Sequence, residues 1–344
     1  MRFGLLLACL GLGCVLTACG GGGDGSSGST ASTTPAVTCT MANAHPLVAV
    51  ALTGGAGTAQ FSNSGSVLTY GGGLSGTLNL VQDSQAVAPL NKACMDATGN
   101  SSSMRTVMQS TGSLGISHTL VSGVDEPAVL MDTTALASNA SVSVLQGTYT
   151  MLRYQHDTGS TPAQTRMSYV TFTIDNAGNW SMCKNAASCS PATATGTFAA
   201  TSGSSTSFDL SSGGLVRAKA FVVGTGSNRT MVVAEDDTGG TGVVTGIWFA
   251  VPQSTWNPVV GSYAVNTTDG VQNPLTASLT NLISGSQNHA LTADTPITGV
   301  ASTTASDGTI NYLISSPAGL LVTGNNTANN FSNGPGYFSF GITP

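Results

Sequence analysis

The amino-acid sequence predicts an all-β protein, organised as tandem β-sandwich or small β-barrel modules behind a flexible N-terminal tether. Three observations lead there. Short runs of β-branched and aromatic residues recur along the chain, separated by Gly, Ser, Asn and Asp at hairpin spacing. Glycine makes up 44 of the 344 residues and charged residues only 7%, while apolar residues reach 40%. That balance suits a packed β structure made polar at its surface by Ser, Thr and Asn, since disorder combines low hydrophobicity with high charge. No segment carries a sustained helical stripe either. The best candidates, near Ala86–Asp96 and Glu126–Ala137, are interrupted by β-branched residues.

The clearest strand is Tyr169–Ile174, in which Val170, Phe172 and Ile174 share one face and Thr171 and Thr173 the other. Asp175, Asn176, Ala177, Gly178 and Asn179 then form a turn, and Trp180 opens the return strand. Val216, Ala218, Ala220 and Val222 likewise alternate with Arg217, Lys219 and Phe221, before a turn over 224–228 leads into Thr230–Ala234. An internal repeat is visible: Gly147-Thr148-Tyr149 opens one segment and Gly261-Ser262-Tyr263 a second. Two modules of similar plan, chance likeness between Gly/Thr/aromatic strands, and strands shared within one barrel are all open readings. The expected division is 1–18 leader, 19–37 tether, 38–146 N-terminal β-rich module, 147–256 a second module and 257–344 a third.

The leader reads as a secretion signal. Met1 and Arg2 precede an apolar stretch of 14 residues, Phe3 to Leu16, too short to span a bilayer. It ends in Leu16-Thr17-Ala18-Cys19, which resembles the lipobox of bacterial lipoproteins, with Cys14 and Cys9 fitting that pattern worse. The resemblance implies cleavage before Cys19 and a thioether-linked diacylglycerol on its sulfur, with a third acyl chain on its amino group in Gram-negative bacteria. Several acyl chains make a durable membrane anchor. Gly20 at the following position is similar to cargo sent to the outer membrane. The run Gly20-Gly21-Gly22-Gly23-Asp24-Gly25 opens a flexible segment that reaches Val37, with a root-mean-square span of roughly 23 Å. It is similar to the tethers of surface lipoproteins such as the factor-H-binding and transferrin-binding proteins, and the likeness ends at the tether. Leu145 to Tyr149 resembles, over two residues, the Gly-x-Trp opening of lipocalin-type barrels, with Tyr149 in the Trp place.

Loss of the leader would leave 8 basic and 15 acidic residues, a net charge of −7. A nucleic-acid partner is excluded on that ground, because no basic patch exists to neutralise phosphates. Four cysteines would remain beside Cys19, an even number in an oxidising compartment. Three pairings are possible, and Cys39–Cys94 with Cys183–Cys189 is favoured because each bond then staples one module. Zinc would need paired close spacings with histidine nearby, which the chain lacks.

Candidate chemistry is thin. His45, His118, His156 and His289 are scattered, and His156-Asp157 is the one histidine beside a carboxylate in sequence. No Gly-x-Ser-x-Gly elbow is present, and Ser181-Met182-Cys183-Lys184 matches Ser-x-x-Lys outside the helical context that chemistry uses. Glu235, Asp236 and Asp237 form the one dense acidic cluster, a weak Ca²⁺ candidate whose simpler interpretation is a solvated hairpin turn over Glu235–Gly240; the Cys183–Cys189 loop reads as another hairpin end, with Lys184 in water like Asp236 and Asp237. Trp180, Trp248 and Trp256, with Tyr149, Phe172, Phe249, Tyr263, Tyr337, Phe338 and Phe340, are expected to form cores rather than a pocket. The expectation for function is a non-enzymatic, lipid-anchored envelope protein that serves as a surface binding or adhesion module, with a membrane anchor at Cys19, a protein or glycan surface partner and no cofactor. The alternatives are a binder of a small apolar ligand inside a barrel and, further off, a secreted hydrolase.

Overall fold

Strands that alternate strictly between apolar and polar residues face solvent on one side, whereas strands with continuous apolar runs must be covered on both. The chain has both kinds, and the difference organises the architecture. The computed structural model describes residues 39, 41, 45–83, 93–97, 104–159, 164–186, 190–237, 243–268, 274–306, 308–326 and 337–344. Cys19, its lipobox, the tether and Cys189 lie outside the described residues.

The protein is all-β. A first closed antiparallel barrel contains β1 (Leu47–Ala51), β2 (Ala56–Ser62), β3 (Val67–Gly72), β4 (Thr77–Gln82), β5 (Cys94–Asp96), β6 (Arg105–Met108), β7 (Leu114–Val121) and β8 (Val124–Asp132). A second contains β9 (Gly147–Asp157), β10 (Gln164–Ile174), β11 (Asn179–Lys184), β12 (Ala194–Ala200), β13 (Ser207–Ser212), β14 (Leu215–Val223), β15 (Thr230–Asp237) and β16 (Val244–Pro252). An eight-stranded sheet follows, formed by β17 (Gly261–Thr267), β18 (Leu275–Ala277), β19 (Asn281–Ser284), β20 (Gln287–Ala290), β21 (Ala301–Thr304), β22 (Ile310–Ser316), β23 (Leu320–Asn326) and β24 (Phe338–Ile342). Within each set the first strand pairs with the last: Leu47 with Asp132, Thr150 with Val251, Ala264 with Ile342. The third sheet is joined across its two end strands by one bridge between Thr292 and Ser302. The segment Glu126–Asp132, a candidate helix by sequence, lies in β8.

The two Gly-x-Tyr openings share one local geometry. Gly147 and Gly261 have φ of 149° and 154°, a region that disfavours side chains, and each precedes a buried tyrosine. Tyr149 Oη donates to the Leu145 carbonyl at 2.6 Å, and Tyr263 Oη to the Val259 carbonyl at 2.5 Å. The same four-residue clasp starts both sheets.

Inward-facing rows fill each barrel. Leu47, Ala49, Phe61, Leu68, Leu80 and Leu130 pack inside the first, together with Cys39 and Cys94. Tyr149, Met151, Phe172, Trp180, Phe208 and Trp248 pack inside the second. A separate cluster lies inside the third sheet, around Trp256, Tyr263 and Leu313. The outward rows explain the continuous apolar runs. In β16, Trp248 and Ala250 face the barrel interior, while Ile247, Phe249 and Val251 belong to a fourth cluster shared by all three sheets. That cluster takes Ile116 and Val129 from the first barrel, Leu152 and Phe249 from the second, and Phe338 and Phe340 from the third sheet. Tyr154 meets Phe338 at a centroid distance of 5.3 Å and Phe249 meets Phe340 at 5.2 Å. Of the aromatic residues expected in cores, all but Tyr337 belong to these clusters, divided between sheet interiors and the shared seam, and Trp180 and Trp248 also line a cavity at one end of the second barrel. Residues Ala36–Pro344 accordingly form one compact unit.

Cys39 and Cys94 are disulfide-bonded with Cα atoms 6.1 Å apart, tying the segment before β1 to β5. Cys183 is also disulfide-bonded, to a partner outside the described residues. No helix among the described residues is long and apolar enough to cross a membrane.

Polar side chains complete the joints between sheets. Asn266 of β17 is fully buried against the first barrel, where its Oδ1 accepts from the Arg105 amide at 3.0 Å. Its Nδ2 donates to the carbonyls of Arg105 and Ser117, at 2.9 and 2.8 Å. The ladder between β6 and β7 holds only at Val107–Ile116 and Met108–Gly115, so Asn266 satisfies strand groups beyond the point where pairing ends. The other joint needs a glycine. Gly54, at φ 84° in the turn after β1, lies so close to β15 and β16 that an added Cβ would overlap the Glu235 and Gly246 carbonyls. Gly54→Ala is expected to cost about 2–3 kcal/mol through forced separation of the two barrels. Urea denaturation measures this, and a loss under about 0.5 kcal/mol, the range of ordinary surface changes, would show that the approach is not held this tightly.

Candidate functional site

One end of the second barrel is polar. Along β9 the inward row runs Tyr149, Met151, Arg153, Gln155, so the apolar core gives way to a charge and an amide toward this end. Along β11 the row runs Trp180, Met182, Lys184, and along β15 it runs Val233, Glu235, Asp237. These rows converge around a cavity of about 260 Å³, lined by Arg153, Trp180, Lys184, Arg217, Glu235 and Trp248 among others.

Glu235 is the centre of the polar network. It is buried, and its carboxylate receives Arg153 Nη2 at 2.5 Å, Arg153 Nε at 3.3 Å, Gln155 Nε2 at 3.0 Å and Trp248 Nε1 at 2.6 Å. The Arg153 guanidinium also lies 4.3 Å over the Trp248 ring, adding a cation–π contact. Four donors, two of them from one side-on arginine, satisfy a carboxylate that burial alone would penalise. Nearer the rim, Arg217 pairs with Asp237. Lys184 stands apart: it is partly buried, and no carboxylate lies within ion-pair distance of it among the described residues. Burial first, then the Arg153 charge, pulls its amine below the ordinary lysine range.

These positions correct the expectation of a solvated acidic turn. β15 extends through Asp237, so strand alternation separates the three carboxylates. Glu235 and Asp237 face the cavity, each engaged by an arginine, while Asp236 is exposed. The Ca²⁺ candidate therefore does not converge on a point, and no group of three metal-binding side chains occurs among the described residues. The same alternation divides Ser181 from Lys184, which stand three apart on a strand and so point to opposite faces, where a helix would bring them together.

The histidines do not gather. His45 contacts Asp132 at 3.1 Å, His118 contacts Asp125 at 2.8 Å, and His156 lies 3.4 Å from the Thr165 hydroxyl. His118 is buried and its partner Asp125 half-buried, but His118 Nε2, where a nucleophilic serine would stand, meets no hydrogen-bond partner among the described residues. Sequence reasoning missed Arg153, Gln155 and Arg217. The signal for the first two was a row of apolar residues in β9 turning polar with its period of two intact.

Comparison with family models, with characterised proteins and with solved structures finds no match to this chain.

Proposed function

We propose that the chain is a lipid-anchored envelope protein of a Gram-negative bacterium that works by binding a partner, with the polar mouth of the second barrel as its binding site. The observation that carries the anchor is Leu16-Thr17-Ala18-Cys19 followed by the Gly20–Gly25 tether, which holds a folded body at a distance from the bilayer. The mouth supports binding because it combines a cavity, convergent charged groups and a rigid barrel frame. Filled interiors weigh against an apolar ligand held inside either closed barrel, since Phe172, Phe208, Trp248, Leu68 and Leu80 occupy that space. The partner is a small group, free or borne by a protein or glycan, met outside the cell or within the envelope.

Membrane fractionation tests the anchor. Cys19→Ala is expected to move the protein from the membrane to the soluble fraction and to abolish fatty-acid labelling, while Cys14→Ala leaves both as they were. Labelling that survives Cys19→Ala would contradict the anchor.

A further inference from the structure

The mouth of the second barrel has a chemical preference. We propose that it binds a small carboxylate-bearing molecule, with the anionic group against Lys184 and the rest of the molecule over the apolar lining formed by Trp180, Met182 and Trp248. The inference deepens the binding role proposed above and rests on it.

Charge supplies the first part of the argument. The lining contributes Arg153, Lys184 and Arg217 against Glu235 and Asp237, an excess of one positive charge on a chain whose net charge is −6. Arg153 and Arg217 are each matched by their own carboxylate, whereas no carboxylate among the described residues lies within ion-pair distance of Lys184, which feels Glu235 only at longer range. An ammonium group held partly out of water beside a guanidinium carries an electrostatic cost that an incoming anion relieves, in line with the downward displacement of its pKa.

The remaining lining sets the rest of the ligand. Both indole N–H groups are already committed, Trp180 to the Ser211 carbonyl at 3.2 Å and Trp248 to Glu235 at 2.6 Å, so these residues offer ring carbon and no free donor. Met182 and Leu210 stand beside them in a lining that also carries the polar Thr193 and Ser212. A volume of about 260 Å³ falls below the usual range for drug-sized ligands, which selects a molecule of one ring or one sugar unit. A free aromatic or aliphatic acid and the acidic sugar of a glycan share this chemistry.

The test uses the full mature chain and four probes in two matched pairs: benzoate with benzamide, and glucuronate with glucose. Binding is read by tryptophan fluorescence and by the rise in melting temperature that any ligand preferring the folded state produces. One of the two acids is expected to bind at millimolar concentration or below, with its neutral match inactive. The acid that binds identifies the source, benzoate pointing to a free apolar acid and glucuronate to a glycan. Lys184→Met should weaken binding by about tenfold or more, the usual weight of a charged hydrogen bond, and Lys184→Arg should restore most of it. Neutral probes that bind as well as the acids, with no effect of Lys184→Met, would overturn the carboxylate assignment and leave the mouth standing as a binding site. No response to any of the four would overturn the proposal and the binding role of the mouth together, while the membrane anchor stays a separate question answered by Cys19→Ala.

Discussion

Asn266→Leu is expected to destabilise the protein by about 3 kcal/mol, although it replaces a polar residue in a core by an apolar one of similar size. In β17 the native amide accepts from the Arg105 N–H and donates to the Arg105 and Ser117 carbonyls. Leucine removes the partner of all three groups at a joint that water does not reach from the Asn266 side, where each unmet buried group costs about 1–3 kcal/mol. The transfer gain of the leucine side chain offsets part of that loss. The effect should be local in origin and global in consequence, because β6 and β7 lose the bridge to the third sheet that shares their outer core. Urea denaturation gives the free energy, and hydrogen exchange at the Arg105 amide gives the location. A loss below about 1 kcal/mol, the net worth of one ordinary hydrogen bond, would show that Asn266 does not hold this joint.

The second large effect is expected at Glu235. Glu235→Gln keeps the shape of the side chain but leaves the Arg153 guanidinium buried without its counter-charge, a change that costs about 3–5 kcal/mol in buried pairs. The double substitution Glu235→Gln with Arg153→Met removes both charges and should cost less than Glu235→Gln alone, because the unpaired cation has gone. That sign is the diagnostic. An ion pair open to water would give single losses under about 1 kcal/mol that simply add.

Local features of the sequence foretold local structure well. The Tyr169–Ile174 strand, its Asp175–Asn179 turn and the return at Trp180 lie where the residues put them, with Ile174 paired to Trp180. Asp175 Oδ1 accepts from the Ala177 and Asn179 amides, which is why that turn is written with an Asp at its first position. Counting cysteines left three pairings open, and Cys39–Cys94, favoured because it staples one module, is the bond that forms. What escaped notice depended on distant partners. Glu235 looks like the start of a solvated turn until β9 closes the barrel against β16 and delivers Arg153 from 82 residues away. Asn266 reads as an ordinary polar residue in a strand, since its partners are backbone groups 149 and 161 residues distant. The shared seam left a visible trace in Ile247-Trp248-Phe249-Ala250-Val251, a run apolar on both faces, but a run of that kind does not say which sheet will cover it.

The proposal of a lipid-anchored protein that presents a binding site at the bacterial envelope turns on the modification of Cys19. Mass spectrometry of the N-terminal peptide, taken from protein extracted from membranes, measures it directly. The account predicts a chain that begins at Cys19 and carries a diacylglycerol on sulfur, with a further acyl chain on the amino group. A mature chain that begins at another residue, or one that begins at Cys19 with an unmodified thiol, would contradict it.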